Sequence, residues 1–365
     1  MLRALLATVS IIATVNASYA CTAVDIVAAD KTVIAGRTME WAFDMQWTLV
    51  SQPKGTEIAL SAPAELKLPT ITVPTKYAVV GVSAAIIPGG ALLEGQNAAG
   101  LGMSGNFLPG FTQYQAVSKT DKSYVSILDF GSWALGNHAS VADLRAALPT
   151  IKVWSDDSLP SGPTPPTIHF VFTDRSGDGM VVEYVGGELQ IHDNVAHVLT
   201  NAPTYDWHLL NTRNYLNLTT IGVSSREIST ANVTALGQGG GLMGLPGDFT
   251  PPSRFIRAAF MRHNITPPAN ADEAVQAIGH ILNTVDIPLG IAQSTDGKEI
   301  VSDYTQWVAI KDLTHNTLKI ADYAHRTTFV TLDLNTIFAQ EKPSAVLVEK
   351  LPYPAAVDGT SALKN

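Results

Sequence analysis

The chain predicts an α+β fold in which stacked antiparallel sheets are covered by helices, and three observations carry that reading. Strand-like runs arrive in groups and do not alternate singly with helices, so no parallel βαβ sheet is indicated. Of the 365 residues, 46% are hydrophobic and 15% charged, a balance that suits a well-filled core and not a disordered chain. The single cysteine, Cys21, excludes an intramolecular disulfide, so stability has to come from that core.

The elements follow in order. Residues 1–20 read as a cleavable export signal: Arg3, an apolar run from Ala4 to Val15, and small Ser18 and Ala20 before Cys21. The run is too short for a bilayer span, and Ser18 with Tyr19 departs from the lipoprotein pattern. Cys21 to Arg37 reads as a β-hairpin whose turn, if centred on Ala29, sets Arg37 directly opposite Cys21. Short strands such as Tyr77-Ala-Val-Val-Gly-Val fill residues 48–120. Helical spacing covers Tyr124 to Leu135, and Ser140 with Asp143 caps a second helix to Leu148. Leu159 to Pro166 is a Pro-rich loop.

Thr167–Thr173, Met180–Tyr184, Glu188–His192 and His197–Thr200 read as a four-strand meander that delivers Asn201 at its end. Helices are expected at Trp207–Leu216, Ser253–His263 and Ala271–Asn283, and late strands at Trp307–Asp312, Thr317–Tyr323 and Thr328–Asp333. The whole of 21–365 is expected to form one domain.

Composition also narrows the function. A net charge of −9 without a basic patch argues against a nucleic-acid partner. No apolar stretch past the signal is long enough to cross a membrane as a helix. The nine histidines lack metal-ligand spacing, and Gly237-Gln-Gly-Gly-Gly lacks the Lys and Ser/Thr of a phosphate loop, so neither metal nor cofactor is expected.

Cleavage before Cys21 would give one residue both a thiol and a free α-amine. That amine, with a reference pKa of about 7.7 to 8.0, can take the thiol proton near neutral pH. A guanidinium beside the sulfur, here Arg37, favours thiolate and completes a nucleophile suited to acyl transfer.

Five ordered segments carry a resemblance. They are Cys21-Thr, Gly36-Arg37-Thr-Met-Glu40-Trp41, Leu199-Thr-Asn201-Ala-Pro203, Leu245-Pro-Gly-Asp248 and Ser253-Arg254-Phe-Ile-Arg257-Ala-Ala-Phe260. Together they resemble the choloylglycine hydrolase and penicillin V acylase family, and the exported chain with Trp41 is similar to its Gram-negative branch. The resemblance implies an αββα N-terminal nucleophile hydrolase sandwich and cleavage of a linear amide of an N-acylated small molecule. It also implies a periplasmic location and a homo-oligomer, with a tetramer expected from an assembly element within 202–252.

Residue by residue, the resemblance makes Cys21 nucleophile and base, Arg37 its electrostatic support, Asn201 an oxyanion donor and Arg254 an organiser of the charged site. Two departures follow. Glu40 stands where the family has Asp to orient the terminal amine, adding a methylene. In Leu101-Gly-Met-Ser-Gly-Asn106-Phe107-Leu108-Pro109, Phe107 falls where Asn or Tyr is usual, so the second oxyanion donor is either the Phe107 backbone N–H or Asn106. Trp41, Phe107 and Leu108 are expected to wall an apolar substrate group. Taken singly, Arg37 is a strand cation, Asn201 a turn former and Arg254 a first-turn helix residue. The competing function is a non-catalytic binding protein, or lipoprotein, on the same scaffold.

Overall fold

In the computed structural model the described residues are 20–85, 91–155, 166–296 and 299–363. Residues 1–19 of the expected signal and all but the last residue of the Pro-rich loop lie outside them. Fifteen strands build the two main sheets: Cys21–Val27 (β1), Val33–Trp41 (β2), Trp47–Gln52 (β3), Val79–Ala84 (β4), Leu92–Asn97 (β5), Leu101–Phe107 (β6), Ile168–Asp174 (β7), Gly179–Val185 (β8), Glu188–Asp193 (β9), Val198–Leu199 (β10), Ala292–Asp296 (β11), Glu299–Asp312 (β12), Thr317–Asp322 (β13), Val330–Asp333 (β14) and Ser344–Leu347 (β15). The first sheet runs β10-β1-β2-β12-β13-β14, with β11 paired to β12. The second runs β9-β8-β7-β6-β5-β4-β3-β15.

The sheets stack face to face. Arg37 of β2 and Lys311 of β12 reach from the first sheet to backbone carbonyls of β5 and β6 in the second. Helices Pro251–Asn264 (α4) and Ala271–Asn283 (α5) cover the outer face of the first sheet, and Ile127–Asn137 (α1) covers the second. This is the expected αββα sandwich. Strand β2 is buried along all nine residues, because one face meets the other sheet and the other lies beneath α5. Gly36 permits that approach: a Cβ there would stand 2.4 Å from Ile278 Cγ2.

Three local expectations are corrected. The β1–β2 turn lies one residue later than Ala29: Ala28 N–H donates to Thr32 O, the Asp30 carboxylate accepts from Thr32 N, and Lys31 takes a left-handed φ of 75°. Cys21 therefore faces Met39, and Arg37 faces Ala23. The shift of two positions preserves the side-chain alternation, so Cys21 and Arg37 stay on one face.

The stretch from Tyr124 begins as a strand, Tyr124–Ser126, and turns helical only after Ser126, whose hydroxyl accepts from Leu128 N. A second helix, Val141–Ala147 (α2), follows, capped as expected by Ser140, while the Asp143 carboxylate reaches back to Ala139 N. The fourth run of the meander, β10, leaves the second sheet and pairs with β1 in the first. That crossing sets Asn201 beside Cys21.

Candidate active site

Cys21 opens β1 and is fully buried, with its side chain on the face between the sheets. Arg37 Nη2 donates to its sulfur at 3.2 Å, and Met39 Sδ lies 3.7 Å from it. The rest of the guanidinium is fixed by backbone: Nη1 to Leu93 O at 2.6 Å and Nε to Thr38 O at 3.3 Å. The Trp307 ring lies 5.2 Å beneath its Cζ, a cation–π contact. Burial pushes the thiol up and the Glu40 carboxylate adds to that, while the Arg37 guanidinium and the Glu40 backbone N–H pull it back down.

Asn201 gathers the other half. Its Oδ1 accepts from Cys21 N at 2.6 Å and from Arg254 Nη2 at 2.8 Å, while its Nδ2 donates to Phe107 O at 3.0 Å. Three partners fix the amide orientation, and one Nδ2 hydrogen remains beyond the one given to Phe107. Arg254, fully buried in the first turns of α4, also donates to Cys21 O at 2.6 Å and to Thr22 Oγ1 at 2.7 Å. It therefore binds both the carbonyl of Cys21 and the side chain that meets the nitrogen of Cys21.

The strap before Asn201 is clamped by polar side chains of the second sheet. Asn106 Nδ2 donates to Leu199 O and Thr200 O, at 3.1 and 2.8 Å. His169, buried and paired with Glu183 at 2.8 Å, places Nε2 3.0 Å from Thr200 O. From the helix Tyr205–Asn211 (α3), outside that sheet, His208, held by burial to about 4 and so neutral near pH 7, gives Nε2–H to Asn201 O at 2.8 Å.

Glu40 lies on the opposite face of β2 from Arg37, in register with Thr305 of β12. Its oxygens accept from Thr305 Oγ1 at 2.6 Å and Thr38 Oγ1 at 3.1 Å. Burial pushes its carboxyl up to about 7, against the pull of Arg254 and the two hydroxyls. Asp303, also buried and also facing Arg254, is pushed up to about 7 by burial.

The structure thus brings Cys21, Arg37, Asn201 and Arg254 into direct contact. The atom beside Cys21 N is Asn201 Oδ1, while Glu40 is engaged by hydroxyls on the helix side. Asn106 spends both amide hydrogens on the strap and has none left for an oxyanion, which corrects its expected place as a donor. Trp41 and Phe107, from the ends of β2 and β6, meet across the two sheets at a centroid distance of 4.6 Å. Phe43 packs edge-on against Trp41, extending this aromatic wall to the surface. Leu108 is fully buried, so it backs the wall without lining an open mouth.

Sequence reasoning missed Met39, Glu94, Lys311, Asp303 and the His169–Glu183 pair. A lone Lys ending the apolar run Trp307-Val-Ala-Ile-Lys311, and a Glu following Ala91-Leu-Leu, were the available signals. Among the described residues no cluster of three or more His, Cys, Asp or Glu is placed to hold a metal.

Residues 21–337 match the family of linear amide C–N hydrolases described as the choloylglycine hydrolase family. The bile salt hydrolase/transferase of Clostridium perfringens is 31% identical over 297 residues, which is 80% of this chain and 86% of that protein. Among solved structures, a variant of the conjugated bile acid hydrolase from Clostridium perfringens superposes with a TM-score of 0.78 at 29% identity, covering 89% of this chain and 96% of that one. Penicillin V acylase from Agrobacterium tumefaciens shares the fold, with a TM-score of 0.69 at 22% identity over 89% of this chain and 90% of that one.

Proposed function

Because the chain belongs to the choloylglycine hydrolase family of linear amide C–N hydrolases, we propose that it cleaves an N-acylated small molecule through a thioester on Cys21, freed as the N-terminus during export to the periplasm. The observation that carries this reading is the contact of the only cysteine with Arg37 Nη2 at 3.2 Å, with its nitrogen against Asn201 Oδ1 at 2.6 Å.

The freed amine takes the thiol proton, and the thiolate attacks the amide carbonyl. The remaining Nδ2 hydrogen of Asn201 meets the oxyanion as it forms. The C–N bond then breaks, with the proton returned from the Cys21 amine to the leaving amine. Water adds to the thioester and releases the carboxylic acid and the thiol.

Trp41, Phe43 and Phe107 support an apolar acyl or aryl group on the substrate. Bile-acid conjugates, phenoxyacetyl penicillins and acyl-homoserine lactones all carry one. A homo-tetramer is part of the same reading, supported by exposed Leu216, Ile221, Val223 and Leu236 within the expected assembly element.

The test uses the chain beginning at Cys21, given those three amide classes in parallel. Turnover of one class, with a thioester adduct on Cys21 in intact mass spectra, is expected. Cys21→Ala, or one residue left ahead of Cys21, should reduce turnover to background. Full activity in either form would sink the mechanism.

A further inference from the structure

Beneath the thiol, two buried cations share one buried carboxylate. Arg37, Glu94 and Lys311 are 0%, 1% and 2% exposed, and they come from β2, β5 and β12. Their contacts are unequal. Lys311 Nζ donates to Glu94 Oε1 and to Met103 O, the latter at 2.9 Å, with Ser104 Oγ at 3.5 Å. Ser104 Oγ in turn donates to Glu94 Oε2 at 2.7 Å. Arg37 Nη1 stays 3.8 Å from that same oxygen and gives its hydrogen to Leu93 O.

A buried guanidinium 3.8 Å from a buried carboxylate would ordinarily close into a bidentate pair. Here the carboxylate is already engaged by an ammonium and a hydroxyl, and Arg37 Nη2 is left for sulfur.

Resting on the proposed nucleophile, we propose that Lys311 is a positioning residue: by neutralising Glu94, it leaves the charge of Arg37 to Cys21. The three groups together carry one net positive charge, which faces the thiol from below. The other charged groups around Cys21 are Glu40 of β2 and Arg254 of α4, together with the amine once the chain is cut. Burial pulls Lys311 down and Glu94 holds it up.

Charge accounting makes the test specific. Lys311→Met leaves Glu94 with Arg37 alone, and the net charge below the thiol falls to zero. Adding Glu94→Gln removes the rival and restores one positive charge. The thiolate absorbance of Cys21, recorded against Cys21→Ala, gives the titration directly because the chain has one cysteine.

Lys311→Met is expected to raise that titration by about one pH unit, and the double variant to return it to within about half a unit of the parent. An unchanged titration in the single variant overturns the proposal. So does a double variant that stays raised, since a packing defect would not be repaired by a second substitution. Should the single variant not fold, Glu94→Gln alone decides: its titration must not rise, and a rise overturns the proposal. Amide turnover by the parent, measured alongside, tests the amidase reading separately.

Discussion

Asn201 is where the site's two halves join. It takes hydrogen bonds from Cys21 N and from Arg254, and it gives one to Phe107 O. Under the proposed mechanism, Asn201→Ala removes the oxyanion donor and releases the other groups at once. Turnover should fall about 10²- to 10³-fold, with KM moving much less, as expected for an interaction strongest in the transition state. A rise in KM equal to the fall in kcat/KM, with kcat unchanged, would remove Asn201 from that role. At this scale the sequence was legible in which residues meet where a motif carried them, as for Cys21, Arg37, Asn201 and Arg254. Glu94 and Lys311 were not legible, because their meaning lies in a contact between strands 217 positions apart.

Glu40 gives a second prediction at the residue scale. Asp is one methylene shorter and would leave the Thr305 hydroxyl without its carboxylate. Glu40→Asp should therefore lower stability by about 1 to 3 kcal/mol in urea unfolding. A gain in stability would show that the strand pair does not rely on this bond.

Among the elements, the β1–β2 hairpin governs the site, and Gly36 governs how α5 lies on it. Gly36→Ala would press a methyl within 2.4 Å of Ile278 Cγ2 and 3.1 Å of Leu282 Cδ1. The β-branched Ile278 has little freedom to yield, so a loss of about 1 to 3 kcal/mol is expected, read as a lower urea midpoint at unchanged m-value. Alternation along the hairpin was readable and its register was not. A turn without Gly gives no fixed centre, and here Lys31 supplies the positive φ. The capping signal at Ser140 worked because it is local. Tyr124 to Ser126 failed because its pairing strand, Lys152–Trp154, is remote.

For the whole molecule, burial makes stability depend on pH through Glu40 and Asp303. Both carboxyls move up to about 7, from 4.5 and 3.8 respectively. A raised carboxyl means that the folded state holds its proton more tightly than the unfolded one. The stabilisation is complete below the unfolded values and is lost as pH rises toward about 7. His208, lowered to about 4, contributes with the opposite sign in this window, so the expectation is a difference: the parent's Tm should fall relative to that of Glu40→Gln as pH rises, by thermal melts at matched ionic strength. A steeper fall in the variant would contradict the sign. The layered class was legible from grouped strands. The assignment of β10 was not, since a two-residue run of Val and Leu fits either sheet.

Arg254 grips the carbonyl of Cys21 and Arg37 its sulfur, so neither hold involves the peptide bond that precedes it. Under the proposed function, severing that bond turns the amide nitrogen of Cys21 into an amine and need move no other atom of the nucleophile. The uncut chain is then a cocked mechanism whose safety catch is a covalent bond. Its arming should be visible as new chemistry in an unchanged frame, with cut and uncut forms superposing at Cys21, Arg37 and Arg254.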